Sequence, residues 1–275
     1  PSSYPFAQGS RATENSSAVD ITVPADATIQ YAALYWYSGS GSVTNGVSQT
    51  FADPGTVYFA VPGDNQYRTV NYDSFYVEEY FDDGGTGSPP CPDVTVPCDM
   101  TNLVEDGLRA NYISYADITD LITAGRSGRY WLGDLPTSYG YNDNFGGWNM
   151  VIVYASDDEP FRSINLYDGS LHYGTGSSQT IIIDDFLTPQ FGAIDAILAL
   201  TRMEGDRGPG DTVDVNGQPI QDAANPQGDS ANTNFSSGGL KLVGPLNLFN
   251  NTIGHDIDIF EIGDTYVENG DTSAT

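Results

Sequence analysis

Three acidic stretches are where chemistry would have to sit in this chain. The first is Asp157-Asp158-Glu159-Pro160, inside GGWNMVIVYASDDEPFRSINLYDG at residues 146–169. Glycoside hydrolysis needs two carboxylates about 5–10 Å apart across a cleft, one with its pKa raised by apolar surroundings. Adjacent carboxylates at the end of an apolar run meet neither condition. Asp favours turns through side-chain bonds to nearby backbone, and Pro160 stops further pairing, so the knot reads as the turn of a hairpin. The second stretch, EGDRGPGDTVDVNG (204–217), holds Asp206, Asp211, Asp214 and Asn216 in a glycine-rich loop. These are hard oxygen donors of the kind calcium gathers, about 6–8 at a time. The spacing departs from an EF-hand loop, whose first and last ligands would fall on Thr212 and Ala223, and Arg207 interrupts the anionic set. Turns flanking a hairpin are the stronger reading, and calcium, the one cofactor the sequence offers, the weaker. The third stretch, GHDIDIFEIGDTYVENGD (254–271), alternates, which places Asp256, Asp258 and Glu261 on an outward strand face.

Other catalytic apparatus is not legible. His172 and His255 have no His or Cys companions in sequence, and a lone histidine is usually a surface or structural residue. No Gly-x-Ser-x-Gly elbow or phosphate-cradling glycine loop occurs. The expectation is a protein that is not an enzyme. Cys91 and Cys98 in CPDVTVPC read as a local disulfide of an oxidising compartment, against the alternative of two free thiols. No second Cys pair or nearby His completes a zinc set. Asn15, Asn234 and Asn250 each open an Asn-x-Ser/Thr triplet, the glycosylation acceptor of a secreted surface. In PTSYGYNDNFGG (136–147), Tyr139, Tyr141 and Phe145 are candidates to stack on sugars, although packing over a sheet end explains them more simply. Lys241, between apolar residues in GGLKLVGP, fits an edge-strand lysine reaching for water better than a buried crosslink.

Charge excludes whole classes of partner. Against 37 acidic residues stand nine basic ones, a formal net charge of −28. Phosphate binding needs clustered Lys and Arg, so nucleic acid and anionic membranes are excluded as partners. No run of 18 apolar residues occurs, so membrane insertion is not expected. No basic and apolar leader stands at the start, as in a mature secreted protein.

The elements that must position these residues are short strands. Residues 1–16 are polar and aperiodic and read as a flexible N-terminal arm. Residues 17–275 read as a single large β-sandwich domain or two closely packed sub-sandwiches. Val19, Ile21 and Val23 alternate, and residues 29–37 form a largely buried strand. A helix is expected over NYISYADITDLITAGRSG (111–128), where Tyr112, Ala116, Ile118, Leu121 and Ile122 approach one face. Strands then return at 129–135, 146–155, 161–173, 177–186 and 193–205. Asn216-Gly217 suits a type I′ turn, making 212–222 a hairpin. A last strand covers 255–262. The fold class is therefore all-β, mainly an antiparallel β-sandwich or jelly-roll-like arrangement with one or two short helices.

Four segments, in order, resemble a known family. They are SSAVDITVPADATIQYAALYWYSG, YADITDLITAGRSGRYWLGDL, GGWNMVIVYASDDEPFRSINLYDG, and EGDRGPGDTVDVNGQPIQDAANP followed by GHDIDIF. Together they resemble the β-rich N-terminal domain of secreted bacterial and archaeal surface proteins that carry conserved-repeat β-sandwich arrays. The resemblance implies an extracellular structural protein of the cell surface or matrix, with no catalytic residues to carry over. Strand addition between copies would retain such a protein outside the cell as a head-to-tail homopolymer, donated by the arm or by a C-terminal strand. The alternative is an adhesin or calcium-assisted carbohydrate-binding module with surface glycans as partners.

Overall fold

Alternation of apolar and polar residues builds this molecule. In the computed structural model 45% of the described residues are strand and 4% helical, an all-β protein of several antiparallel sheets. The structure describes residues 13, 15–44, 47–48, 55–81, 108–122, 127–137, 145–171, 176–205, 208, 210–242, 252 and 254–275. The chain divides into two compact units, Pro1–Pro160 and Phe161–Thr275. Among the described residues no helix is long and apolar enough to cross a membrane.

The first unit is a sandwich. Its strands are β1 (Ser16–Ile21), β2 (Thr28–Thr44), β3 (Val47–Ser48), β4 (Thr56–Ala60), β5 (Arg68–Asn71), β6 (Ser74–Phe81), β7 (Leu108–Asp117), β8 (Gly128–Gly133) and β9 (Gly146–Ala155). One sheet runs β1-β8-β4-β5. In the other, β2 lies between β9 and β7, β6 flanks β7, and β3 pairs with the far end of β2. Ala32, Leu34 and Trp36 of β2 share one face, and they pack with Val57 and Phe59 of β4 and with Tyr130 and Leu132 of β8. The Phe59 ring stacks 6.1 Å from Tyr130 and meets Trp148 of β9 edge-on at 6.3 Å. Burying such rings supplies most of the sandwich's stability.

The helix expected over 111–128 is not there. Residues up to Asp117 form β7, paired to β2 on one side and β6 on the other. Tyr112, Ser114 and Ala116 are all buried, a period of two that the aromatic and β-branched composition favours over a helical period. Among the described residues a 3-10 turn, Thr119–Leu121, follows. Asp117 Oδ1 accepts the Thr119 N–H at 2.8 Å, and the Thr119 hydroxyl accepts the Ala32 N–H at 2.9 Å. The structured body also begins before residue 17. Asn15 is bonded to Leu135, and Ser16 already pairs with Gly133.

The second unit contains β10 (Ile197–Gly205), β11 (Asp214–Val215), β12 (Gln218–Pro219), β13 (Phe235–Ser237), β14 (Leu240–Lys241), β15 (Gly254–Glu261) and the four-residue helix α1 (Gly263–Tyr266). Its sheet runs β10-β15-β13-β14, with β13 parallel to β15. The hairpin expected around Asn216-Gly217 is present as β11 and β12, and both turn residues have positive φ (52° and 75°), as a type I′ turn requires. Val215, Ile220, Phe260 and Ile262 form the apolar centre, with Leu198 and Leu200 against it.

Candidate interaction surface

The acidic knot at 157–159 is a turn. β9 ends at Ala155, and the Ser156 hydroxyl and the Asp157 N–H both bond Asp26 Oδ2, at 2.6 and 3.1 Å. The Ser156 hydroxyl holds the Asp26 carboxyl below the usual carboxylate range. The knot does not lead into a hairpin, however. Among the described residues no return strand forms over 161–173, and none over 177–186.

Residues 163–171 instead lie outside any helix or strand and, among the described residues, make no backbone hydrogen bond to any backbone group. Their apolar side chains face solvent, with Ile164 59% and Leu171 54% exposed. The arm 177–187 lies beside them, joined by side-chain hydrogen bonds. The Tyr167 hydroxyl donates to Asp184 O at 2.6 Å and accepts the Asp184 N–H at 3.1 Å, while Asn165 Nδ2 donates to the same carbonyl at 3.1 Å. A phenol thus occupies both backbone groups of Asp184 that a neighbouring strand would take. Backbones bridged through a tyrosine side chain stand farther apart than the ~4.8 Å of paired strands. The same arm is pinned by the bridge between Ile183 and Ala274, whose two N–H···O bonds are 2.9 and 2.8 Å. The Arg162–Asp195 pair, 2.7 Å, ties the first arm to the chain before β10. Ile181, Ile182 and Leu187 extend the apolar surface, each more than half exposed. An exposed, apolar, unpaired segment is a template for another strand.

Elsewhere in the second unit, the acidic face of β15 departs from the sequence expectation. Asp256 and Asp258 are fully buried, not outward. Asp258 forms an ion pair with Arg202 of β10 and accepts from the Ser236 hydroxyl at 2.7 Å. Arg202 Nη1 donates to the Ser230 hydroxyl at 2.9 Å. Asp256 accepts the N–H groups of Thr233 (2.9 Å) and Asn234 (3.1 Å). Thr233 has φ 59°, and the two successive N–H groups form a small nest around the carboxylate. Burial raises the Asp256 pKa, and the two N–H bonds oppose that rise. The sequence signal for this face is ambiguous: alternation fixes which residues share a face, and Arg202 is the available countercharge.

Of the candidate calcium set, the weaker reading of the 206–216 loop, Asp211 and Asn216 have partners of their own. Asp211 Oδ2 accepts from the Ser230 hydroxyl at 2.8 Å and from the Ala231 N–H at 2.5 Å. Asp214 is exposed on β11. Asn216 uses both amide atoms, donating to Tyr266 O at 2.8 Å and accepting the Thr275 N–H at 3.0 Å. Asp206 lies outside the described residues, and among those described no three His, Cys, Asp or Glu side chains form a metal-binding group. Of the aromatic trio, Tyr139 and Tyr141 lie outside the described residues, and Phe145 is buried, 8% exposed, so its ring packs inward. Cys91, Cys98, Asn250 and His172 also lie outside them. Asn15 and Asn234 are poor glycan acceptors in the folded chain. The Asn15 amide is spent on both backbone groups of Leu135, and Asn234 is 2% exposed. Lys241 is exposed, as an edge-strand lysine should be.

Comparison with known proteins adds no relative: no protein family, no curated protein and no solved structure matches the chain.

Proposed function

We propose that this is a non-enzymatic structural protein of the cell surface or extracellular matrix that assembles by strand addition. The resemblance of four ordered sequence segments to the N-terminal domain of repeat-bearing surface proteins points the same way. The observation that carries the reading is the pair of arms 163–171 and 177–187, exposed, rich in apolar side chains and bridged by side chains with no backbone ladder among the described residues. A donated strand from a second copy would supply main-chain bonds and cover Ile164 and Leu166.

The C-terminal residues are already engaged, Ala274 with Ile183 and Thr275 with Asn216. Residues 1–12 are therefore the favoured donor. There Tyr4 and Phe6 stand two apart, on one face of any strand they form. Donor and acceptor at different places on one chain make a head-to-tail contact, which repeats into a filament where its rotation does not close. Electron microscopy of the full chain tests this. Filaments are expected from the intact protein and only dispersed particles after deletion of residues 1–12. Dispersed particles from both, at any salt concentration, overturn it.

A further inference from the structure

The segment between β12 and β13 holds three side chains that converge on the Ala224–Asn225 pair. Asp222 Oδ1 accepts the N–H of Ala224 (2.9 Å) and of Asn225 (2.8 Å). Asn232 Nδ2 donates to the carbonyls of Ala224 (3.0 Å) and Asp229 (2.8 Å). Asn234 Nδ2 reaches Asn225 Oδ1 at 3.4 Å. These bonds fix which end of each group is spoken for, and in each case an oxygen is left over. Asp222 Oδ2, Asn232 Oδ1 and Asn234 Oδ1 are buried and without any hydrogen-bond partner. Asn232 and Asn234 are only 4% and 2% exposed, so bulk water does not reach them.

A buried acceptor left unmet costs the desolvation of that group, and natural folds rarely tolerate several together. All three orphans are acceptors. One water has two protons to donate, so it meets two of three, whereas a cation meets every oxygen it touches. Arg202 Nε is also left over, on a guanidinium committed to Ser230 and Asp258, as is the Thr233 hydroxyl, whose oxygen can itself serve a cation as a ligand. One carboxylate with two carboxamides is a hard, mixed oxygen set. Calcium accepts such sets with flexible geometry, while magnesium demands a near-ideal octahedron and keeps its waters. The chain's charge of −28 concentrates cations around it.

We propose that Asp222, Asn232 and Asn234 form a calcium site, completed by backbone carbonyls or water. This site shares no residue with the 206–216 loop. With a single carboxylate its affinity falls in the weak range of extracellular modules, Kd of about 10⁻⁴–10⁻³ M. The inference does not depend on strand addition.

Equilibrium dialysis of the full chain against calcium in about 1 M NaCl, which screens the diffuse surface charge, should show one saturable site. Scanning calorimetry should show the second unit melting about 5 °C higher at calcium tenfold above Kd than in chelator. Asp222→Asn keeps the oxygen that bonds Ala224 and Asn225 but turns the orphan into a donor, and it should abolish the shift. Asp214→Asn should retain it. Asn234→Leu removes an orphan without disturbing a strong bond, and it should lose the shift while melting no lower than wild type in chelator. Absence of a saturable site in wild type, or an equal shift in Asp222→Asn and Asn234→Leu, overturns the proposal.

Discussion

Two residues of the second unit, the half-buried Gly205 and the buried His255, carry sharp consequences. Gly205 sits at a bulge in β10 where a methyl group would fall on Asp256 Oδ2 and within 2.5 Å of the Ala231 carbonyl oxygen. Neither neighbour can retreat, because Asp256 holds Thr233 and Asn234, and the Ala231 N–H is bonded to Asp211. Gly205→Ala should cost about 3 kcal/mol, read from the urea midpoint of the second unit. His255 is packed edge-on against Phe235 at 4.8 Å, and burial pushes its pKa down to about 3 from 6.5. The unfolded imidazole gains a proton below pH 6.5 that the folded one refuses. Stability is therefore fully present above pH 6.5 and falls by about 1.4 kcal/mol per unit as the pH drops toward 3. The raised Asp256 works in the opposite sense, its contribution being present at low pH and lost as pH rises through its folded value. Subtracting the profile of His255→Leu isolates the imidazole: the wild type should lose stability between pH 7 and 5.5 relative to the variant. Parallel profiles would contradict a neutral buried His255. The sequence shows alternation in HDIDIF but not its cover, because the 230–236 loop that buries Asp256 and Asp258 comes from a distant part of the chain.

Among the elements, hairpin 212–222 is legible because a type I′ turn is written in two adjacent residues, Asn216 and Gly217, and needs no distant partner. The strand β9 and its stop at Ser156 are legible for the same local reason. Residues 111–122 mislead because Tyr112, Ala116, Ile118 and Ile122 fit a helical stripe almost as well as they fit β7 plus a turn. What decides is pairing to β2 and β6, which no local pattern contains. Residues 161–187 have strand composition yet no ladder among the described residues, because composition does not supply a pairing partner. Because Ile164 and Leu166 are exposed in the single chain, replacing both with Asp should leave its stability within about 0.5 kcal/mol by urea unfolding. The same double variant should fail to assemble. A large loss of stability would mean the arms are part of the unit's own core.

At the scale of the whole molecule, a charge of −28 opposes the approach of copies, and nine basic residues cannot offset it. Assembly driven by main-chain bonds and apolar cover should then strengthen with salt, as the screening length shrinks from about 10 Å at 0.1 M to about 3 Å at 1 M. The two units differ in what they expose. The first unit has a closed aromatic core, whereas nearly all large exposed apolar side chains among the described residues belong to the second. If the protein assembles by strand addition, residues 163–171 lack backbone partners in the single chain and acquire them from a neighbour. Amide hydrogen exchange, compared between monomer and assembled protein, reads this most directly. The 163–171 amides should exchange freely in the monomer and become protected on assembly, with no such change in β2 or β8. Assemblies in which 163–171 exchange as fast as in the monomer, or monomers in which they are already protected, would contradict strand addition at this surface.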